Sequence, residues 1–310
     1  MAKEKGLSFK EPKRRRFKLT LEDVILDTFI YLSLIFLSVV TLYPFLNTVA
    51  ISLNDATDTI RGGITLMPRQ FTWNNYLMIF TTNPLIYRAL FNSAARAILG
   101  GFLSVFACFC VAYVFSRREF VMRKYFTPFL VFTMYFSGGL IPSFILMRNL
   151  GLINNFLVYI LPLMISAFNV MVMRSFIEGI PDSLIEAAKI DGASEYTIIF
   201  RVVFPLSTPA IATILLFVAV MQWNSWVDTM LFASSEPRLT TLQFELQKLL
   251  TSVQAMAASD ALDATADGRT ITPLSLRTAM TVIAMTPILF IYPFLQRYFV
   301  KGLTIGGVKG

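Results

Sequence analysis

TFIYLSLIFLSVVTLYPFLNTVAISLN, the stretch from Thr28 to Asn54, contains no charged residue. About 20 apolar residues in a row cross the hydrocarbon core of a bilayer as a helix. Only helices and closed barrels can satisfy every backbone N–H and C=O in that medium. Working outward, the pattern recurs. A second run covers roughly Ala89 to Phe115, interrupted only by Arg96. Charge-free stretches then lie between Lys124 and Arg148 and between Arg148 and Arg174, with further apolar runs over Val202–Trp226 and Ala279–Leu295. Taken with Val24–Ile51, these runs predict an all-α integral membrane protein whose six transmembrane helices occupy residues 24–297. With 55% hydrophobic and only 15% charged residues and a mean hydropathy of +0.64, the chain is too apolar for an ordinary soluble domain.

The net charge of +8 and the run Lys13-Arg14-Arg15-Arg16 raise the question of nucleic acid, and the distribution of the charges answers it. Basic residues sit at the ends of apolar runs, as orientation signals do. Eighteen Lys and Arg fall in the 1–23 tail, 116–124, 174–201 and the C-terminal tail, against eight in the segments between. The positive-inside rule therefore places residues 1–23 and 298–310 in the cytoplasm. Residues 1–23 lead into the first run without a small-residue cleavage site, as an uncleaved span does. Of the two long outer segments, 52–88 holds Trp73-Asn74-Asn75-Tyr76 as an interfacial piece. In the other, Leu242, Leu246, Leu249 and Val253 recur at helical spacing, which predicts an amphipathic helix lying on the membrane or capping the outer mouth. Residues 255–272 then form a flexible connection.

Several chemistries are excluded. The chain has no histidine, which removes imidazole catalysis and His-ligated zinc. Cys108 and Cys110, two apart on a helix, point about 200° away from each other and cannot pair. Gly302 and Gly307 stand at P-loop spacing, but Val308 and Lys309 follow where Lys and Ser or Thr are needed, and no strand precedes them. No nucleotide cradle and no metal site results. A secondary transporter would carry carboxylates deep in the membrane, whereas Asp27 and Asp228 lie near run ends. A channel would show a carbonyl filter or a charged ring.

The most informative polar segment is PDSLIEAAKIDGASEYTIIFRVVFPLSTP, residues 181–209. Ser183–Ile190 reads as a short helix capped by Asp182 or Ser183. Asp191-Gly192 breaks it at a turn that needs positive φ. A second helix starts near Ser194 and leads through Pro205 into the fifth run. The segment resembles the EAA coupling loop of ATP-binding-cassette importer permeases: Glu186-Ala187-Ala188, Gly192, then Val202, Phe204 and Pro205 at the family's spacing, with Val for Ile and Phe for Leu. The tail RYFVKGLTIGGVKG, from Arg297, is similar to that of maltose-transporter-type carbohydrate permeases. FSGGLIPSFILMRNLGLINN from Phe136, QWNSWVDTMLF from Gln222 and YPFLQRYFVKG from Tyr292 resemble the branch handling complex oligosaccharides.

The resemblance implies a permease subunit in a bacterial cell membrane. Its partners would be a second permease, two ATP-binding subunits holding ATP and Mg, and an extracytoplasmic binding protein delivering carbohydrate. It also implies that Glu186, Ala187, Ala188, Asp191, Gly192 and Pro205 meet the ATPase. Polar residues in spans face protein or water, which makes Gln222, Trp223, Asn224, Trp226, Tyr135, Asn155 and Asn169 candidates for the substrate path. For the tryptophans, stacking on a sugar and anchoring in an interfacial aromatic belt are both open. Arg96 reads as snorkelling or paired within the bundle.

Overall fold

The computed structural model describes residues 20–258 and 272–307, with side chains left out at Thr82, 253–258 and 294–307. Its long first helix, α1 (Leu21–Ser52), begins at a reciprocal cap. The Thr20 N–H donates to Asp23 Oδ2 at 2.9 Å, and the Asp23 N–H donates to Thr20 Oγ1 at 3.3 Å, satisfying two amides that no helical carbonyl can reach. Two compact units divide the chain, Met1–Asn47 and Thr48–Gly310.

After α1 come α2 (Ala56–Ile60), α3 (Asn74–Thr82) and α4 (Leu85–Ser116). A polar knot closes the connection: Asn75 donates to the carbonyls of Ser52 and Asn54, both at 2.9 Å, and Arg69 pairs with Asp58. The WNNY piece is thus split. Asn75 is buried, while Trp73 is exposed beside Phe71 and Tyr76.

Helix α4 is the hub. Its small residues let neighbours approach closely, and a Cβ at Gly100 would lie 2.7 Å from Gln222 Nε2. Around it pack α7 (Ala167–Glu178), α11 (Thr208–Asn224) and α13 (Leu242–Ala258), and α14 (Pro273–Gly307) packs in turn against α11 and α13. One core joins Phe109, Ala112, Met173, Ile177, Ile198 and Ile214; a second joins Ile86, Ala97, Trp223, Leu242, Met280 and Ala284. Between α4, α11 and α14 lies an apolar cavity of about 230 Å³, lined by Ala94, Ala97, Leu216, Ala219, Trp223 and Pro287 among others. Cys108 and Cys110 are both free thiols on α4.

Among the described residues, three helices are long and apolar enough to cross a membrane unbroken: Leu21–Ser52, Leu85–Ser116 and Pro273–Pro293. The other three expected spans are interrupted. The third is α5 (Arg123–Tyr135) and α6 (Leu140–Asn149), meeting at 115° across Phe136–Gly139, where Gly139 has φ +90°. The fourth is two 3₁₀ turns, Phe156–Tyr159 and Leu161–Leu163, bent by 49° into α7. The fifth bends by 76° between Leu206 and Thr208 before α11. There Pro209 supplies no N–H to the Pro205 carbonyl, which takes the Thr208 hydroxyl at 2.7 Å instead.

The stripe Leu242, Leu246 and Leu249 on α13 packs inside the protein, against α14 and α4, which sets aside the first of the two expected placements, on the membrane, and leaves the second, a cap. Residues 255–258 are helical, so the expected connection starts later; 259–271 lie outside the described residues, as do 1–19 and 308–310. Residues 298–307, expected as a tail, continue α14.

Trp223 ties two helices by donating from Nε1 to the Ala284 carbonyl at 2.9 Å. Trp223→Phe removes that bond at a cost of about 1 kcal/mol, and Trp223→Ala also empties the packing space, at about 3–5 kcal/mol. Thermal unfolding of the purified protein in detergent is expected to rank wild type above Phe and Phe above Ala.

Candidate functional site

Four helical elements form the segment singled out by sequence. Helix α8 (Asp182–Ile190) is followed by the turn at Gly192, the single helical turn α9 (Glu195–Thr197), a wide π-helical stretch over Ile198–Val203, and α10 (Phe204–Leu206). Pro181 occupies the N-cap of α8 with no side-chain hydrogen bond, so neither Asp182 nor Ser183 caps it; Asp182 sits in the first turn, where its charge suits the helix dipole. At the other end the Asp191, Gly192 and Ala193 amides return to the carbonyls of Ala187, Lys189 and Ala188, each at 3.0 Å. Gly192 has φ +75°, the left-handed conformation this helix ending requires. Ser194 then caps α9 by accepting from the Thr197 N–H.

Two faces result. Ile185, Ile198 and Val203 are buried, Ala188 packs beside them, and this side belongs to the core built on α4 and α7. Glu186, Ala187, Asp191 and Pro205 are exposed, and so are Ile190 (85%) and Tyr196 (77%), large apolar groups with no cover in this chain. The alanine pair is therefore divided, Ala188 facing inward and Ala187 outward. Lys189 Nζ pairs with Glu119 Oε1 at 3.3 Å and Glu195 Oε1 at 3.6 Å, while Tyr113 donates to Glu195 Oε2 at 2.7 Å. Hydrogen bonds from its own backbone N–H and from Lys189 hold the Glu119 carboxyl below its ordinary range. These contacts tie the segment to the C-terminal end of α4. Sequence reasoning passed over Lys189, Tyr113, Glu119 and Glu195, whose partners lie about 70–80 residues apart.

The candidate path residues are scattered. Gln222 and Trp223 are buried, and their polar atoms are engaged within the protein: Gln222 Oε1 accepts from Arg96, Gln222 Nε2 donates to the Tyr159 carbonyl at 2.9 Å, and Trp223 bonds Ala284. Neither side chain presents open surface in the single chain. Asn224 is exposed and accepts from Gln243, and Trp226 is half-buried at the start of α12 (Val227–Phe232). Tyr135 is 86% exposed at the end of α5, Asn169 is buried in the first turn of α7, and Asn155 caps a 3₁₀ turn. Arg96, fully buried, is paired within the bundle with Asp228 and Gln222. Among the described residues no His, Cys, Asp and Glu group has metal-ligating geometry.

A family model described as "Binding-protein-dependent transport system inner membrane component" matches residues 23–305. The chain belongs to that family. Among its relatives is the polygalacturonan/rhamnogalacturonan transport system permease protein YtcP of Bacillus subtilis, 35% identical over 94% of this chain and 100% of that protein. The arabinooligosaccharides transport system permease protein AraQ of Halalkalibacterium halodurans is 30% identical over 92% of this chain and 98% of its own. A solved bacterial ABC transporter involved in import of the acidic polysaccharide alginate contains a chain that superposes with a TM-score of 0.81, at 26% identity, over 91% of this chain and 99% of that one. The match thus runs over nearly the whole length of those permease proteins.

Val at position 192 meets backbone strain of about 1–3 kcal/mol, because a β-branched residue disfavours positive φ. Ala188→Leu overpacks the core at a similar cost, and Ala187→Leu, on the exposed side, leaves stability unchanged. Melting of the three variants in detergent separates the two faces.

Proposed function

We propose that this chain is one of two membrane subunits of an ATP-binding-cassette importer that passes an oligosaccharide from an extracytoplasmic binding protein into a bacterial cell. The observation that carries the reading is the α8–Gly192–α9 segment, one side anchored in the core and the other presenting Glu186, Ala187, Ile190 and Tyr196. A rigid, half-exposed helix pair of this kind suits docking into a cleft of a separate ATP-binding subunit, which would hold ATP and Mg. When that subunit closes, α8 is carried with it. Ile185, Ile198 and Val203 pass the displacement into the core on α4 and α7, and the Lys189–Glu119 and Tyr113–Glu195 contacts keep the load from being lost at the turn. Membership of a binding-protein-dependent family supports the assignment, and the relatives named for polygalacturonan, rhamnogalacturonan and arabino-oligosaccharides support a saccharide cargo.

In this reading each bent helix pair counts as one span, giving six, with both termini and the α8–α9 segment cytoplasmic. Asn224, Trp226 and Tyr135, the candidates with exposed surface, contribute to the sugar path. Gln222 and Trp223 support it from behind, and Asn169 lies in the wall. A second membrane subunit of different sequence completes the path. The competing class, a secondary transporter, differs in needing no nucleotide.

Lys189→Cys and Gly63→Cys, in a chain carrying Cys108→Ser and Cys110→Ser, are expected to react with an impermeant thiol reagent from opposite sides of the membrane. Labelling of both from one side sinks the span count. In liposomes, Gly192→Val and Glu186→Ala are expected to reduce ATPase recruitment or to leave hydrolysis that imports nothing. The companion binding protein, screened by thermal shift against galacturonan, arabinan and galactan oligosaccharides, should still bind its sugar. Wild-type recruitment and uptake in both variants would reduce the segment to a plain connector, and uptake without ATP would move the protein to the competing class.

A further inference from the structure

A charged guanidinium with no accessible surface in a membrane helix calls for a purpose, because such groups are costly there and pair wherever they persist. Arg96 on α4 is 0% exposed. Its Nε and Nη2 donate to Gln222 Oε1 at 3.0 and 2.8 Å, its Nη1 to the Ser225 carbonyl at 3.3 Å and to Asp228 Oδ1 at 3.2 Å, and its Nη2 also to Asp228 Oδ2. The guanidinium carbon stands 4.4 Å from the centre of the Tyr159 ring. Asp228 is held in turn by the Ser225 hydroxyl at 3.0 Å and the Thr229 N–H at 2.9 Å.

The side chain thus grips both sides of the break between α11 and α12, at Ser225, where the helical ladder is interrupted. It does not act alone. Four residues earlier on the same face of α4, Asn92 donates to the carbonyls of Arg238 and Thr240 at 2.8 Å, and Ser93 accepts from the Leu242 N–H at 2.9 Å. One turn further on, Gly100 lets Gln222 approach. Asn92, Arg96 and Gly100 are spaced i, i+4, i+8, a single stripe along the helix. Apolar packing alone permits sliding between helices, whereas a bidentate ion pair fixes both distance and rotation.

We propose that Arg96 is a positioning residue: through Asp228 and Gln222 it locks α4 to the α11–α12 break, so that the two are carried as one body through the import cycle. The inference rests on the importer reading, and its test separates the two. A Cβ placed at Gly101 lies 3.9 Å from Ala219 Cβ, within the range of a disulfide. Gly101→Cys with Ala219→Cys, in a chain carrying Cys108→Ser and Cys110→Ser, therefore bridges α4 and α11, with the Leu215 methyl at 3.1 Å giving way slightly.

In the purified complex with its second membrane subunit and ATPases, oxidation is expected to cross-link equally well without nucleotide and with ATP plus vanadate, and the bridged complex is expected to keep hydrolysing ATP. With Asp228→Asn added, cross-linking is expected to match the parent at rest and to fall about fivefold or more in the vanadate-trapped state, where a merely structural defect would lower both alike. Hydrolysis that stops on oxidation and returns on reduction overturns the proposal, as does cross-linking in the Asp228→Asn complex that is the same in both states. Should Asp228→Asn fail to assemble because a lone buried charge is left, Arg96→Gln with Asp228→Asn removes that charge and is read in the same way. A wild-type complex without ATP hydrolysis rejects the importer reading instead. The cysteine pair is then followed in the chain alone on heating, where the Asp228→Asn chain should lose cross-linking at a lower temperature; equal loss overturns the lock.

Discussion

A backbone amide or a charge removed from water must find a partner within the protein, and in a lipid-facing chain nearly all of the architecture follows from that requirement. It selects helices throughout the described residues, where the strand-like pairing is limited to an isolated bridge between Asn54 and Phe71. It also decides which irregularities survive. Each of the three bent pairs leaves amides or carbonyls without helical partners, and at Ser207 and Pro205 local hydroxyl and turn hydrogen bonds take up part of the deficit. The same requirement explains why polar side chains on α4 face inward in a row: Asn92 and Ser93 serve as partners for the irregular connection between α12 and α13, which also receives the Tyr159 hydroxyl, and Arg96 serves the break between α11 and α12.

On the importer reading, the segment from Pro181 to Leu206 meets a different demand, that of transmitting force across a surface. A loop of random geometry would absorb a push by bending. Here the turn is closed by three backbone hydrogen bonds and by the conformation of Gly192, and the following π-helical stretch buries Ile198 and Val203 completely. A wide helical turn is an uncommon feature, frequent at functional sites. It rotates the residues beyond it relative to an ordinary helix, and so directs Phe204 onto the Phe109 ring, 5.1 Å away edge to face. The rigid part and the exposed part of the segment are thereby the two sides of the same nine-residue helix.

Much of this was legible from residue order because it is local. Long apolar runs mark α1 and α4, the first free of charge from Thr28 to Asn54 and the second interrupted only by Arg96 from Ala89 to Phe115, and the spacing from Glu186 to Pro205 locates the helix, the positive-φ glycine and the re-entry into the core. The 115° break was not, although Ser137-Gly138-Gly139 lies in plain sight, because hydropathy averaged over a span registers composition and is blind to one dihedral angle. The packing of Gln222 and Trp223 was not legible for a related reason: an amide and an indole near the end of an apolar run have the same composition whether they face a sugar or a neighbouring helix. Arg96 and Asp228 are 132 residues apart. Their union was hinted at only by each being an isolated charge in otherwise apolar surroundings, and which acid would meet which base depends on how α4 and α11 cross.

The break between α5 and α6 bears on the life of the protein before it has assembled. Tyr135, Phe136, Leu140 and Ile141 around it are all exposed in the single chain, together with the backbone of Gly138 and Gly139. Acyl chains satisfy the first group and penalise the second, so a solitary copy inserted in a bilayer has no fully comfortable arrangement of this corner. Cover by a neighbouring subunit, or water admitted along a shared path, resolves the conflict. On the importer reading, the corner is fully satisfied only in the assembled complex, so a solitary copy is less stable than a paired one.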